Sequence, residues 1–194
     1  MDYPTKSTPL NAPIINILER RWSPKAFSDT ELPLQYLESL FEAARWAPSC
    51  FNEQPWRYVY AQKSDPKRPA MESLLDESNG WAKQAGLLIV SFTSPTFAKN
   101  GKENRHAMHD LGCASGYLVL EATARGLISH QMAGFSVDKA NETLNVLKEF
   151  IPGSMIAIGY PGDPQALPEK LRVREAAPRT RNKSETFSFK GLWM

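Results

Sequence analysis

Ala47-Pro48-Ser49-Cys50-Phe51-Asn52-Glu53-Gln54-Pro55-Trp56 is the least generic stretch of this chain. Pro48 and Pro55 stiffen it, which suits a site that needs preorganised geometry. Asn52 and Gln54 each pair a donor with an acceptor, the pattern that matches the N–H and C=O edge of a uracil-like ring. An ordinary helix-to-strand loop could hold the same residues, so the segment takes its meaning from its surroundings.

Working outward, two basic stretches bracket it. Upstream lies Arg20-Arg21-Trp22-Ser23-Pro24-Lys25-Ala26-Phe27, and downstream Pro178-Arg179-Thr180-Arg181. Arginine offers a bidentate fork to phosphate and serine adds a hydroxyl. Arg179 and Arg181, at i and i+2 of an extended segment, project to one side. Taken singly, the first reads as well as a solvated basic helix end and the second as a charged surface tail. Taken together, the three stretches suggest a phosphorylated planar cofactor, and flavin mononucleotide (FMN) fits best.

The elements around these stretches follow from periodicity. Asn11 to Arg20 reads as a helix with Ile14, Ile15 and Leu18 on one face. A second helix starts near Pro33, with Leu34, Leu37, Phe41 and Ala44 as its buried stripe, and ends before Pro48. Trp56 to Ala61 reads as a strand. The continuous apolar run Leu87 to Phe92 reads as a central strand. Asn104 to Arg125 is the strongest helix, with Met108, Leu111, Ser115, Leu118 and Ala122 recurring and Gly126 as its stop. Its Gly112-Cys113-Ala114-Ser115-Gly116 run suits close backbone approach, either at a dimer seam or inside one chain. A short strand follows before Gln131-Met132-Ala133-Gly134-Phe135, then an amphipathic helix over Val137 to Phe150 and a strand over Met155 to Tyr160. Helices and strands alternate irregularly, so the expected class is α+β with a mixed central β-sheet flanked by helices. One domain spans residues 1–194, with an arm at 1–10 and a C-terminal extension at 162–194. That extension carries Phe187, Phe189, Leu192 and Trp193, and aromatics at that density are expected to find a partner surface.

Composition narrows the function. The chain has 194 residues, 42% hydrophobic, with 23 basic and 21 acidic side chains for a net charge of +2. That is enough chain for a sizeable core and too little basic excess for a nucleic-acid surface. No apolar run approaches membrane-spanning length, and the N-terminus carries no apolar signal-peptide core, so a soluble cytoplasmic protein is expected. Cys50 and Cys113 lack the spacing of a disulfide framework or a metal site. His106, His109 and Asp110 share a stretch of helix, but two ligands on one turn are weak evidence for a metal, and none is expected. His130 reads as a satisfied structural residue. Cys50 has no nearby His to lower its pKa and reads as a small turn residue. No dinucleotide-binding, phosphate-loop or hydrolase motif is present.

The Arg20–Phe27 stretch, then Ala43-Ala44-Arg45-Trp46 running into the Ala47–Trp56 turn, resembles the nitroreductase family of FMN-dependent oxidoreductases. The likeness continues through Ala114 to Gly126, Gln131 to Phe135, Ile158-Gly159-Tyr160 and Arg179-Thr180-Arg181, covering roughly residues 11–182 in order. The resemblance implies an intertwined homodimer, with the C-terminal tail on the partner subunit and two FMN sites at the interface. It assigns the phosphate to Arg21, Ser23, Arg179 and Arg181, with Arg20 assisting, and the N1/O2 edge of the flavin to Lys25. Pro48, Ser49, Cys50, Asn52 and Gln54 would reach a flavin from the partner, and the backbone of Met132, Ala133 and Gly134 would face the ring. NADH or NADPH would donate electrons, and a nitroaromatic, quinone or related small electrophile would accept them in ping-pong turnover. Two other readings remain: a flavin-binding or flavin-modifying protein of this fold without such turnover, and a non-catalytic dimeric interaction protein.

Overall fold

The computed structural model describes residues 2–193. Its centre is the strand that the apolar run foretold: β2, Leu87–Thr93, buried at every position. Strand β2 pairs with β1, Trp56–Gln62, on one side and with β4, Ile151–Gly159, on the other; β3, Ile128–Met132, completes the order β1-β2-β4-β3. Every ladder is antiparallel, where a mixed sheet is expected. Strands β2 and β3, joined across the long helix α4, do run in the same direction. Strand β4 sits between them, so the crossover leaves no parallel ladder.

Alternation along the strands sends side chains into two cores. Leu88, Val90, Phe92, Met155 and Ala157 face Met71, Leu74, Trp81 and Phe135. Leu87, Ile89, Ile156 and Ile158 face Leu37, Leu40, Leu111, Leu118 and Ala122. The second set comes from α2, Leu34–Arg45, and α4, Ala107–Ala124, which pack on each other. Helix α4 stops where expected, at Gly126 with φ 76°, a conformation that glycine adopts without a Cβ clash.

Several boundaries differ from the sequence reading. The first helix, α1, covers only Asn16–Arg20 and buries none of its residues. Pro13 disfavours helix at the residue before it, and Ile14, Ile15 and Leu18 are 42–65% exposed. The stripe of α2 runs through Leu37, Leu40 and Ala44, leaving Leu34 outside. Short α3, Arg68–Glu72, follows β1. The helix expected over Val137 to Phe150 ends as α5 at Thr143. There Asn145 turns left-handed at φ 53°, and the Asn141 amide donates to the carbonyls of Leu147 and Phe150 at 2.9 Å each. The extension holds an unforeseen helix, α6, Glu169–Ala176, begun after Pro168.

Candidate functional site

The segment before α2 is the first part of the site. Phe27 bridges to Pro161 just beyond β4, Ser28 N–H donates to Tyr160 O at 2.9 Å, and Gly162 N–H donates to Ala26 O at 2.8 Å. A Cβ on Gly162 would lie 2.4 Å from the Phe27 carbonyl, so only glycine allows this approach. The segment is then clamped from three directions. The buried Glu175 carboxylate of α6 accepts the Lys25 N–H at 2.9 Å and, more weakly, the Ala26 N–H at 3.5 Å. His130 of β3 meets the Pro24 carbonyl at 3.1 Å, which fixes Nδ1 as the protonated nitrogen of its neutral ring. Arg179 donates to the carbonyls of Glu19 and Arg21 and to the Thr8 hydroxyl.

Cations converge here, and the Glu175 carboxylate beside them is taken up by backbone N–H groups rather than by their side chains. Arg21, half-buried, reaches the Ser23 hydroxyl at 3.3 Å. Burial lowers its pKa, and Arg179 and Arg181 add repulsion. Among the described residues none of Arg21, Lys25, Arg179 and Arg181 forms an ion pair. The Lys25 ammonium lies 5.9 Å from the Trp81 ring centroid. Trp81 stacks on Phe27 at 6.0 Å and leans on His130 at 4.6 Å. Burial, aided by the positive charges of Lys25 and Arg21, pushes His130 down to about 4, so the ring is neutral near pH 7. A half-buried, cation-rich surface of this kind suits an anion with several acceptor oxygens.

Two expected phosphate ligands behave differently from the rest. The guanidinium of Arg179 is taken up largely by protein oxygens and acts as a clamp. Arg20 turns to the N-terminal arm, with its guanidinium 5.0 Å from the Tyr3 ring centroid. Met132, Ala133 and Gly134 leave β3 just after His130, and the Gly134 carbonyl accepts from Asn79 at 2.9 Å. The structure therefore gathers residues 20–25, 130–134 and 179–181 on one flank of the sheet.

The Pro48–Pro55 turn is elsewhere. It enters β1 at Trp56, opposite Thr93 and Ile151, whereas the Phe27–Pro161 bridge lies past the other end, where Gln62 pairs with Leu87. Seven residues of strand put about 20 Å between the two. The turn is strained: Phe51, Asn52 and Gln54 have φ of 52°, 56° and 50°, a left-handed region costly for residues other than glycine. It is tethered by Asp110, buried at the start of α4, which accepts the Cys50 N–H at 3.0 Å and meets His109 Nδ1 at 3.2 Å. The Ser49 hydroxyl accepts the Gln54 N–H at 3.0 Å. Phe51 is 91% exposed.

Sequence reasoning missed Glu175 and the tethering role of Asp110; His130, read as a satisfied structural residue, is one, and its partner is the Pro24 carbonyl. Glu175 and Asp110 act on backbone N–H groups 150 and 60 positions away, for which no local pattern exists. No group of three or more metal-ligating side chains occurs among the described residues, and no helix there is long and apolar enough to cross a membrane.

Comparison with known proteins identifies this arrangement. The sequence model of the nitroreductase family matches residues 18–82. A solved structure described as an oxidoreductase containing FMN superposes with a TM-score of 0.91 at 32% identity, covering 97% of this chain and 96% of that one. The chain belongs to the nitroreductase family. Its fold is nitroreductase-like throughout the described residues. A 15.4 kDa uncharacterized protein of Mycolicibacterium smegmatis is 32% identical over 136 residues, 69% of this nitroreductase-family chain and 88% of that protein. An NADH dehydrogenase of Thermus thermophilus is 25% identical over 175 residues, 74% of this chain and 84% of the relative.

Proposed function

We propose that this chain is an FMN-dependent oxidoreductase, working as a homodimer in the cytoplasm, that passes reducing equivalents from NADH or NADPH to nitroaromatic, quinone or related electrophilic acceptors. The observation that carries the reading is the cation set of Arg21 with the Ser23 hydroxyl, Arg181, and Lys25 beside Trp81, none of them in an ion pair among the described residues. A phosphate monoester would relieve the repulsion among Arg21, Arg179 and Arg181. FMN, when bound, supplies the hydride chemistry, while the protein supplies position and charge. Arg21 and Arg181 hold the phosphate, and Ser23 donates its hydroxyl to it. Glu175 and His130 fix the backbone on either side of Lys25, so the ammonium is presented in one place as a positive charge for the N1/O2 edge. The backbone of Met132 to Gly134 faces the ring.

Surfaces that one chain leaves uncovered support the dimer. An added Cβ on Gly112 or Gly116 would meet nothing within 4 Å among the described residues, so these glycines do not serve packing inside the chain. Met108 and Tyr117 on the same helix are 47% and 42% exposed, beside the open apolar residues of α1. Phe187, Leu192 and Trp193 of the tail are 67–85% exposed. A second copy covering these faces also brings its Pro48–Pro55 turn toward a site that one chain cannot complete, because its own turn is at the wrong end of the sheet. Deleting residues 183–194 is expected to loosen the dimer in sedimentation velocity.

The activity test is anaerobic mixing of the flavin-loaded protein with NADH and with NADPH, followed by nitro, quinone and enone acceptors. Bleaching of the flavin band and its return with an acceptor support the assignment. Flavin binding without bleaching by either nucleotide leaves a flavin-binding protein without this turnover. Failure to bind flavin at all refutes the reading.

A further inference from the structure

The strip from Met132 to Gly134 leaves β3, and a loop from elsewhere in the chain sets its shape. That loop, residues 74–81, is anchored at both ends in the core, by Leu74 and Trp81. Between the anchors it runs antiparallel to residues 134–136. Ser136 N–H donates to Leu74 O at 2.7 Å, Leu75 bridges to Phe135, and Asp76 N–H donates to Gly134 O at 3.3 Å. Asn79, in the 3-10 segment Glu77–Gln84, adds its amide Nδ2–H to the same carbonyl at 2.9 Å. At its far end the loop delivers Trp81, which stacks on Phe27 and lies 5.9 Å from the Lys25 ammonium. One loop therefore touches both Lys25 and the strip at Gly134.

A Cβ on Gly134 would lie 2.6 Å from Asn79 Nδ2 and 2.9 Å from Asp76 Oδ2, so the close approach of the loop requires glycine. Glycine is also the residue with the most backbone freedom, and the contacts around it take that freedom away. Phe135 N–H closes a three-residue turn on Ala133 O at 3.0 Å. In a planar trans peptide the C=O and N–H point in opposite directions, so the Gly134 N–H faces out of this turn. It donates to no backbone acceptor among the described residues, and Gly134 is partly exposed. The next peptide is held by its carbonyl, which accepts from both Asn79 and Asp76. The result is one N–H fixed in direction and left open, a donor that needs no reorganisation to meet an acceptor.

We infer that Asn79 is a positioning residue for flavin reduction: by holding the Gly134 carbonyl it keeps the Gly134 N–H aimed at the flavin ring. This rests on the FMN reading given above, which sets Met132 to Gly134 against the ring and Lys25 at its N1/O2 edge. The ring acceptors then left for the N–H are O4 and N5. A donor fixed on that side draws electron density from the ring and makes it a better hydride acceptor. Asn79 touches no reacting atom in this role; it acts through Gly134.

The test compares the wild-type chain with Asn79→Ala and with Asn79→Asp, which keeps the size of the side chain and loses the amide donor. Three things are measured: the FMN dissociation constant, the limiting rate and half-saturating nucleotide concentration of anaerobic flavin reduction by NADH and NADPH, and the Gly134 amide signal in NMR with and without FMN. The expected result in both variants is a limiting rate lowered about 10- to 100-fold, with the FMN and nucleotide constants changed less than about threefold. In the flavin-free variants the Gly134 amide order parameter is expected to fall from the rigid range toward about 0.6. Gly134→Ala, whose Cβ crowds the Asn79 amide away, is expected to lower the limiting rate in the same manner. An unchanged limiting rate, an unchanged order parameter, or a rate loss matched by an equal loss of FMN affinity would each overturn the inference, the last because Asn79 would then serve binding. If the wild type binds FMN and is reduced but its Gly134 amide signal does not move, the ring lies elsewhere, so the inference falls and the flavin chemistry stands. If the wild type binds no FMN, or neither nucleotide reduces it, the proposed function fails and takes the inference with it.

Discussion

The segment from Glu19 to Phe27 and the turn from Pro48 to Pro55 carry the two most informative sequences of this chain, and the fold treats them in opposite ways. Beyond the end of α1 at Arg20, the first is held in non-helical backbone by groups distant in sequence: Glu175, His130, Arg179 and the Tyr160–Gly162 strip. The second is held partly by itself, through Ser49 and three left-handed residues, and from outside by Asp110, by the Ala98 N–H on the Glu53 carboxylate and by the Ser94 N–H on the Pro55 carbonyl. One is clamped and half-buried at one end of the sheet; the other is strained and exposed at the far end. Local strain of this sort persists where the surroundings over-determine it, and it clusters at ligand sites. Under the proposed function, the contrast means that one chain would make two half-sites rather than one whole site, with a second copy the simplest way to join them.

The comparison can be broken most forcefully at Glu175. If the clamp is what fixes the first segment, Glu175→Ala strands two backbone N–H groups and is expected to cost about 3 kcal/mol of stability in urea denaturation. A loss under about 1 kcal/mol would mean that the segment holds its own shape. His130 gives the next largest effect. Its folded pKa of about 4 lies below the ordinary 6.5, so the unfolded chain binds the proton first as pH falls. Its contribution is therefore full above pH 6.5 and is lost between there and about pH 4, a change of roughly 2 to 3 kcal/mol. His130→Asn, which keeps a donor for Pro24, is expected to flatten that part of the stability profile; an unchanged profile would assign the acid sensitivity to other groups.

The arginines sharpen the comparison. Arg21→Ala and Arg181→Ala are each expected to weaken FMN binding by about 2 kcal/mol, roughly 30-fold, and Arg181→Ala should leave the ligand-free melting temperature in place. Arg179→Ala should lower that temperature, because its guanidinium ties the backbone of Glu19 and Arg21. Unaltered FMN affinity in both Arg21→Ala and Arg181→Ala would sink the phosphate assignment. The smallest effect belongs to the turn. Phe51→Gly removes a left-handed clash and is expected to stabilise the chain by about 0.5 to 1 kcal/mol, while weakening flavin binding measured at dimer-forming concentration. A destabilised Phe51→Gly would mean that the side chain, paired with Phe97 at 5.9 Å, matters more than the strain.

What could be read in advance depended on the range of the interaction. Strand β2 was legible because a strand buried on both faces must be apolar at every position, and α4 because one buried stripe recurs every turn. The end of α5 was not, since it depends on the Asn141 side chain capturing carbonyls six and nine residues ahead. Ile14, Ile15 and Leu18 were read as a buried face; they are apolar, yet this chain leaves them 42–65% exposed. Arg179 was legible as a cation near the phosphate set, but its neighbours convert it from ligand to clamp.

By itself the sequence determined the family, the class of fold, the central strand and the three segments that carry chemistry, because these rest on residue type, order and local period. Only the tertiary structure decided that the arginine segment and the polar turn stand at opposite ends of one sheet. It alone supplied Glu175, Asp110 and His130 as the groups that hold those segments in shape. The reason is physical: an unpaired backbone N–H is satisfied by whichever carboxylate the fold brings near, and strand register, not sequence spacing, decides which one that is.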